Sequence, residues 1–316
     1  MSDHAVREIN IRESVSAYLV RHIVTGQQYA MSFVELKHAT RFLIREYYAD
    51  YEEALNSLKE GFEMSVGQSA GAGLLELLVD GVADHYAEKI FVSQHHHQQY
   101  RMFAHTIMSH PQNLEILRGE LERRSVLMFT GHYGAVDFLP SFLSIQGLPT
   151  SVLLRFKTEQ ARRGAFHALH QDASDLDLDL VDLSGFIAPA LLRLRKQARI
   201  LVTVMDAFDH WKAERGRSIS LLGRDIFSDS TPKRLVELLN NPLICFAYVQ
   251  RHGIHGYEFK LHRVEDDGSS LTQQLVRIWQ QQLLRDPTQF YAWEELKNLL
   301  SNTSACEVQP TMSSGS

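Results

Sequence analysis

Residues 125–143 read Ser-Val-Leu-Met-Phe-Thr-Gly-His-Tyr-Gly-Ala-Val-Asp-Phe-Leu-Pro-Ser-Phe-Leu. The first part, residues 125–130, is a short apolar run typical of a buried β-strand. Gly131 and Gly134 permit a sharp turn directly after it, because glycine adopts backbone conformations that other residues avoid. Residues 135–143 can then begin a helix. This passage predicts a strand that turns directly into a helix.

Predicted strands and helices continue to alternate along the chain. Further apolar runs predict strands at residues 151–155, 198–205, 242–249 and 256–263, and helical periodicity predicts helices at 186–197, 232–239 and 271–284. Strands separated by helices are typical of a parallel sheet with helices packed against it. The sequence therefore predicts an α/β fold, with a mostly parallel central sheet flanked by helices.

The two ends of the chain differ from this middle part. Apolar residues recur at helical spacing between residues 32 and 123, so we expect a helical N-terminal subdomain over residues 1–120. The α/β core then spans residues 121–300. Residues 301–316 are rich in Ser and Thr and hold few large apolar residues, which predicts a disordered tail.

Composition narrows the class of protein. A chain of 316 residues with 44% hydrophobic content can bury a large core, and a net charge of −6 without a basic stripe disfavours nucleic-acid binding. Cys245 and Cys306 provide no disulfide framework. No apolar run has the length of a membrane span, and the N-terminus lacks a signal-peptide pattern. We expect a cytoplasmic protein, with peripheral contact at the cytoplasmic face of the inner membrane as the alternative.

Several conspicuous patterns carry no cofactor or metal prediction. Three consecutive histidines, His95-His-His97, would lie on different faces of a helix, and no set of acids or cysteines completes a metal site. Residues 67–73 are glycine-rich but lack the preceding strand and lysine of a phosphate loop, so they predict a break between helices. Asp175, Asp177 and Asp179 alternate with Leu, which fits an edge strand or a loop.

The chemical candidate is the pair His132 and Asp137, spaced as His-x4-Asp. The spacing alone is unspecific, because it recurs at His110/Glu115, His167/Asp172, His170/Asp175 and His262/Asp267. His132 differs in following an apolar strand and lying between two glycines. Open α/β sheets hold their sites at such strand ends. In contrast, the sequence around His110 and His262 predicts surface residues.

A histidine with an adjacent carboxylate suits proton removal from a weak nucleophile. An imidazole with a pKa near neutrality is a fitting general base, and a carboxylate can orient the ring and stabilise its protonated form. The chain has no Gly-x-Ser-x-Gly sequence, which disfavours an α/β-hydrolase with a serine nucleophile. The alternative is structural: a buried histidine at a tight turn and an aspartate that caps a helix.

Six landmarks follow one another over residues 80–300. They are His-Tyr-Ala-Glu-Lys-Ile-Phe at 85–91, the block at 130–137, Leu-Arg-Phe at 154–156, Val-Met-Asp at 204–206, the Gly-Arg block at 219–235 and Asp-Pro-Thr-Gln-Phe-Tyr-Ala-Trp at 286–293. In this order they resemble the lysophospholipid acyltransferase superfamily, specifically the branch of the bacterial lipid A late acyltransferases, which transfer lauroyl and myristoyl groups in lipid biosynthesis.

The resemblance implies roles for particular residues. His132 would be the general base and Asp137 its orienting partner, and no cofactor would be needed. Arg155, Gly223 and Arg224 would line the acceptor or donor-headgroup site, where an arginine can pair with a phosphate or carboxylate. Asp206 would shape the pocket. For Arg224 the alternative is a surface turn residue, and for Asp206 it is a helix cap.

The resemblance also implies the substrates, and two departures alter them. The acyl donor would be an acyl carrier protein or acyl-CoA thioester, and the acceptor a hydroxyl or amine of a lipid or small molecule. The family begins with a membrane anchor and follows its last Trp with a basic run. This chain shows no such anchor and has Glu-Glu-Leu-Lys after Trp293. The added carboxylates disfavour phosphorylated lipid A as the acceptor. A non-catalytic scaffold that binds an acyl chain or carrier protein is the alternative.

Overall fold

A computed structural model of the chain describes residues 18–19, 22, 31–94, 97–154, 159, 176–182, 188–205, 217–228, 231–265 and 267–304. Its first part is helical, as predicted. The helices are α1 (Phe33–Asp50), α2 (Glu52–Val66), α3 (Ala72–Gln94), α4 (His97–Ala104) and α5 (Pro111–Leu121).

The second part, after residue 121, alternates strands and helices, and its sheet also includes the two-residue strand β1 from the first part. The strands are β1 (Met108–Ser109), β2 (Val126–Thr130), β3 (Thr150–Leu154), β4 (Leu178–Asp182), β5 (Ile200–Val204), β6 (Arg217–Leu221), β7 (Arg224–Ser228), β8 (Leu243–His252) and β9 (Gly256–Arg263). The helices are α6 (Leu139–Ile145), α7 (Ala188–Gln197), α8 (Thr231–Leu239), α9 (Leu271–Arg285) and α10 (Trp293–Ser304).

Seven of the described strands form one sheet in the order β1-β9-β8-β2-β5-β3-β4. All neighbouring pairs are parallel except β8 and β9, which are antiparallel. The predicted α/β fold with a mostly parallel sheet is therefore confirmed. Strand β2 lies in the middle, between β5 and β8, and all of its residues are buried. A continuous apolar run is the pattern expected of a parallel strand covered on both faces.

Local sequence signals explain where the first helices begin and end. Ser32 and Glu35 form a reciprocal capping box at the start of α1. Helix α2 ends at Gly67, whose φ of 72° is the left-handed conformation that glycine adopts most readily. The glycine-rich stretch at residues 67–73 is therefore a break between helices α2 and α3, as predicted.

The last helix of the chain packs against the N-terminal helices. Trp293, at the start of α10, is buried beside Phe62 of α2, with ring centroids 5.3 Å apart. Gly61 allows this approach, because a Cβ added there would lie 2.4 Å from the Trp293 carbonyl oxygen. The helical N-terminal region is thereby joined to the C-terminal end of the α/β core.

Some elements differ from the sequence predictions. Of the alternating Asp and Leu residues, Leu178, Asp179 and Leu180 lie in β4, at one edge of the sheet, in agreement with the edge-strand interpretation. Asp177 directly precedes β4, and Asp175 lies outside the described residues. The β6–β7 hairpin and helix α10 were not predicted. Helix α10 continues to Ser304, beyond the predicted end of the core at residue 300, and residues 305–316 lie outside the described ones. Among the described helices, none combines the length and apolar character needed to cross a membrane.

Candidate active site

His132 lies just beyond the carboxyl end of the central strand. Strand β2 ends at Thr130, whose carbonyl oxygen accepts a hydrogen bond of 2.8 Å from the backbone of Met205, directly after β5. His132 follows two residues later and is half-buried. The predicted position of His132, at the end of a parallel strand, is therefore observed, and it is where open α/β sheets hold their sites.

The turn after His132 is held by backbone hydrogen bonds to neighbouring segments. Gly134 donates to the carbonyl oxygen of Gln289 at 2.9 Å, and Ala135 donates to the carbonyl oxygen of Val249 at 2.8 Å. Gly134 has a φ of 65°, and a Cβ there would lie 2.2 Å from the Val249 oxygen. Both the left-handed backbone and the close approach to β8 require glycine at this position.

Asp137 lies on the short 3-10 helix Val136–Phe138 that follows the turn. Neither this helix nor α6 has a side-chain cap at its start, so the helix-capping alternative for Asp137 does not describe the structure. The Oδ2 atom of Asp137 is buried, while 33% of the side chain is exposed. This oxygen lies 3.5 Å from Nδ1 of His85 on α3.

The charges around Asp137 act in opposite directions. Burial raises the pKa of the Asp137 carboxyl, and the nearby carboxylate of Glu88 adds to the rise. Positive charge on Lys89, His132 and Arg251 acts in the opposite direction and lowers this pKa. The orienting role expected of Asp137 toward His132 stays a prediction.

Tyr291 contacts both histidines. Its ring stacks on His85 with centroids 3.4 Å apart and an angle of 9° between the ring planes. It meets His132 edge to face, with centroids 5.4 Å apart and an angle of 86°. Tyr291 belongs to the segment after the 3-10 helix Pro287–Gln289, and the adjacent Phe290 forms a β-bridge to Tyr133. The sequence landmark at 286–293 thus reaches the turn that carries His132.

A buried ion pair lies beneath the turn. Arg251, near the end of β8, donates two hydrogen bonds to the Glu88 carboxylate, at 2.7 and 2.8 Å. It also donates to the carbonyl oxygens of Gly134, at 2.8 Å, and Gln289, at 3.1 Å. Both charged side chains are almost completely buried. One guanidinium therefore joins strand β8, helix α3, the turn after His132 and the segment before Tyr291.

Further buried charges extend this network toward α1. Tyr257 donates to Glu88 at 2.9 Å and accepts from Lys37 at 3.1 Å. Lys37 also lies 3.2 Å from Asp84, which accepts two hydrogen bonds of 2.8 Å from Arg41. Burial lowers the pKa of Lys37, although the neighbouring carboxylates of Asp84 and Glu88 oppose the change. Alternating charges compensate one another, as buried ions require.

The other residues predicted from the resemblance are placed in part. Arg155 and Asp206 lie outside the described residues. Gly223, with a φ of 76°, forms the turn of the β6–β7 hairpin together with Leu222. Arg224 is the first residue of β7 and donates to the carbonyl oxygen of Leu300 on α10 at 3.2 Å. The described contact of Arg224 is thus structural, and its substrate-binding role stays a prediction.

The remaining His-x4-acid pairs differ in their surroundings. His110 and Glu115 are exposed, as predicted, and the pairs His167/Asp172 and His170/Asp175 fall outside the described residues. His262 was expected at the surface, but it is half-buried on β9, where it stacks on Tyr248 with centroids 5.8 Å apart.

Of the histidine triplet, His95 and His96 lie outside the described residues. The part of the chain that is described holds no cluster of three or more metal-ligating side chains.

Comparisons with known proteins do not assign this chain to a family. Neither a scan against models of protein families nor a search of the curated proteins finds a match to this chain. The resemblance to the lipid A late acyltransferases therefore rests on the ordered sequence landmarks. The geometry around His132 and Asp137 is the structural basis on which a function can be proposed.

Proposed function

We propose that this chain is an acyltransferase in which His132 is the general base and Asp137 its partner. One observation carries the proposal: His132 follows the buried central strand at the carboxyl edge of the parallel sheet, and Asp137 lies on the 3-10 helix directly after the same turn. The turn between them is held by three hydrogen bonds to neighbouring segments, which give its backbone a defined position. The sequence landmarks add the acyl-transfer chemistry to this geometry.

The proposed reaction requires no covalent intermediate on the protein. A ring nitrogen of His132 takes the proton from the acceptor hydroxyl or amine as that group attacks the thioester carbonyl carbon. The carbon–sulfur bond then breaks, and the proton passes from the imidazolium to the departing thiolate. Asp137 stabilises the imidazolium between these two steps. The products are an ester or amide and the free thiol of the donor.

The substrates are proposed from the same landmarks. The donor is an acyl carrier protein or acyl-CoA, and the acceptor is a lipid or small molecule other than lipid A. Arg155, Gly223, Arg224 and Asp206 are the proposed substrate-binding residues. We propose a cytoplasmic location, or a peripheral one at the cytoplasmic face of the inner membrane.

The raised pKa of Asp137 favours a second candidate, a non-catalytic scaffold that binds an acyl chain or carrier protein. Burial drives this carboxyl toward its neutral form, and a neutral carboxyl is a poorer partner for an imidazolium. The scaffold would bind the same donors without transferring the acyl group. Both candidates therefore predict binding of the acyl donor, but only the acyltransferase predicts transfer of the acyl group.

The test compares wild type with His132→Ala and His110→Ala, using carrier-protein and CoA thioesters with hydroxyl and amine acceptors. His110 is the matched control, because it has the same spacing to an acid and is exposed. We expect His132→Ala to lower kcat/KM by about 10²–10⁴-fold and His110→Ala to leave it unchanged. Equal transfer by wild type and His132→Ala would overturn the general-base assignment. Donor binding by wild type without transfer to any of the acceptors would favour the scaffold instead.

A further inference from the structure

His85 is a buried histidine beside Asp137 that the proposed reaction does not use. It lies on α3 with 4% of its surface exposed, and its Nδ1 is 3.5 Å from the Asp137 Oδ2. The two residues are far apart in the sequence, and only the packing of α3 against the turn after His132 brings them together. Asp137 therefore lies near two histidines.

The orientation of the His85 ring is defined by Tyr291. The rings of His85 and Tyr291 are stacked, with an angle of 9° between their planes. The ring of His132 meets the same tyrosine edge to face, at an angle of 86°. Aromatic contacts of this kind favour particular relative orientations. The stack therefore fixes the plane of the His85 ring, in which Nδ1 lies on the side of Asp137, and the same tyrosine contacts both imidazoles.

The other charges that face Asp137 come from three elements. Glu88 and Lys89 approach from α3, Arg251 from β8 and His132 from the preceding turn. The guanidinium of Arg251 already binds the Glu88 carboxylate and two backbone carbonyls, and Lys89 is exposed to solvent. With its proton on Nδ1, His85 is a buried donor 3.5 Å from the Asp137 oxygen.

We propose that His85 is a positioning residue, which holds the ionised Asp137 carboxylate in place for His132 while Tyr291 orients both imidazole rings. The inference rests on the proposed function, because it concerns the partner of the proposed base. Burial acts against ionisation of Asp137, and an N–H donor 3.5 Å from Oδ2 opposes that effect. His85 acts through Asp137 and contacts no reacting atom in this scheme.

Two substitutions separate the donor from the aromatic ring. His85→Asn places an amide nitrogen close to the position of Nδ1 but removes the ring that stacks on Tyr291. His85→Phe keeps the ring and removes the donor. The variants are compared in two measurements: acyl transfer, resolved into kcat and KM, and the titration of the Asp137 carboxyl followed by the ¹³C NMR signal of its Cγ.

For His85→Phe we expect the pKa of Asp137 to rise further and kcat to fall by about tenfold, with KM little changed. A tenfold loss corresponds to one pKa unit of lost stabilisation. His85→Asn should keep the wild-type titration and recover most of kcat. An unchanged Asp137 titration in His85→Phe overturns the proposal, even if activity falls, because a packing defect alone would lower activity without moving that pKa.

The two measurements also separate this inference from the proposed function. If wild type transfers no acyl group, the proposed function fails, and the titration still decides whether His85 holds the Asp137 carboxylate. If wild type transfers the acyl group and both His85 variants match it, the proposed function stands and the positioning role is wrong. Thermal unfolding of each variant confirms that the compared proteins are folded.

Discussion

Arg251 Nη2 donates a hydrogen bond of 2.8 Å to the carbonyl oxygen of Gly134. The same nitrogen donates to the Glu88 carboxylate, so one buried cation connects the turn after His132 with helix α3. Because α3 also carries His85, the contact fixes the position of the turn relative to that histidine. The geometry of the candidate active site thus depends on a charge that is almost completely buried.

Removal of Arg251 should destabilise the whole protein. In Arg251→Met, the Glu88 carboxylate is left buried without its main cation, and we expect a loss of about 3–5 kcal/mol in the free energy of unfolding. Urea denaturation measures it. The double variant Glu88→Gln/Arg251→Met should lose less than the sum of the single variants, because it leaves no unpaired charge. Additive losses would contradict a coupled pair.

Gly134→Ala should cost more stability than the same substitution at Gly67. The two glycines have similar φ angles, 65° and 72°, but nothing lies within 4 Å of a Cβ at Gly67. Gly67→Ala therefore carries only the left-handed backbone cost, about 1–2 kcal/mol. At Gly134 the methyl group meets the Val249 oxygen, which adds about 1–3 kcal/mol of overpacking. Urea unfolding of both variants compares these losses, and equal ones would contradict the close approach of the turn to β8.

The inner strands of the sheet could be predicted from the sequence because they are largely continuous apolar runs. Residues 125–130 were predicted as a strand, and β2 occupies Val126–Thr130. The β6–β7 hairpin was missed because its strands, Arg217–Leu221 and Arg224–Ser228, mix charged and apolar residues and lack such a run. A left-handed Leu222 before Gly223 completes its turn, and this conformation is unusual for leucine.

Only the part of the site that lies within one short sequence segment was predicted. His132 and Asp137 belong to one short segment, so the strand, glycines and helix around them could be recognised together. Glu88 and Arg251 are separated by 163 residues, and their pairing depends on how α3 packs on the sheet. One signal was present: Arg251 closely follows the apolar run at residues 242–249, where an ion requires a buried partner. That signal indicates that Arg251 has a partner but does not identify it.

Asp137→Asn should raise the free energy of unfolding at neutral pH. Burial raises the pKa of the Asp137 carboxyl above its ordinary value of 3.8. Between that value and the pKa in the folded protein, the folded state binds more protons than the unfolded chain, so stability falls as pH rises. Above the folded-state pKa the full penalty is present. Asparagine does not ionise and removes this penalty. Urea unfolding from about pH 3 to about pH 8 measures the difference.

Asp267→Asn is the matched control, because Asp267 is the acid of another His-x4-Asp pair and its pKa changes in the opposite direction. Hydrogen bonds from Ser269 lower the pKa of Asp267 to about 2, from 3.8. Its stabilisation is therefore present above pH 3.8 and is lost as the pH falls through about 2. Asparagine at 267 should thus lower stability at neutral pH, where asparagine at 137 raises it.

Acyl transfer should fall only in Asp137→Asn, since a neutral amide cannot stabilise an imidazolium. A variant that gains stability and loses activity would show that the Asp137 charge is retained for chemistry at a cost in stability. Equal stability of wild type and Asp137→Asn at every pH would contradict the raised pKa.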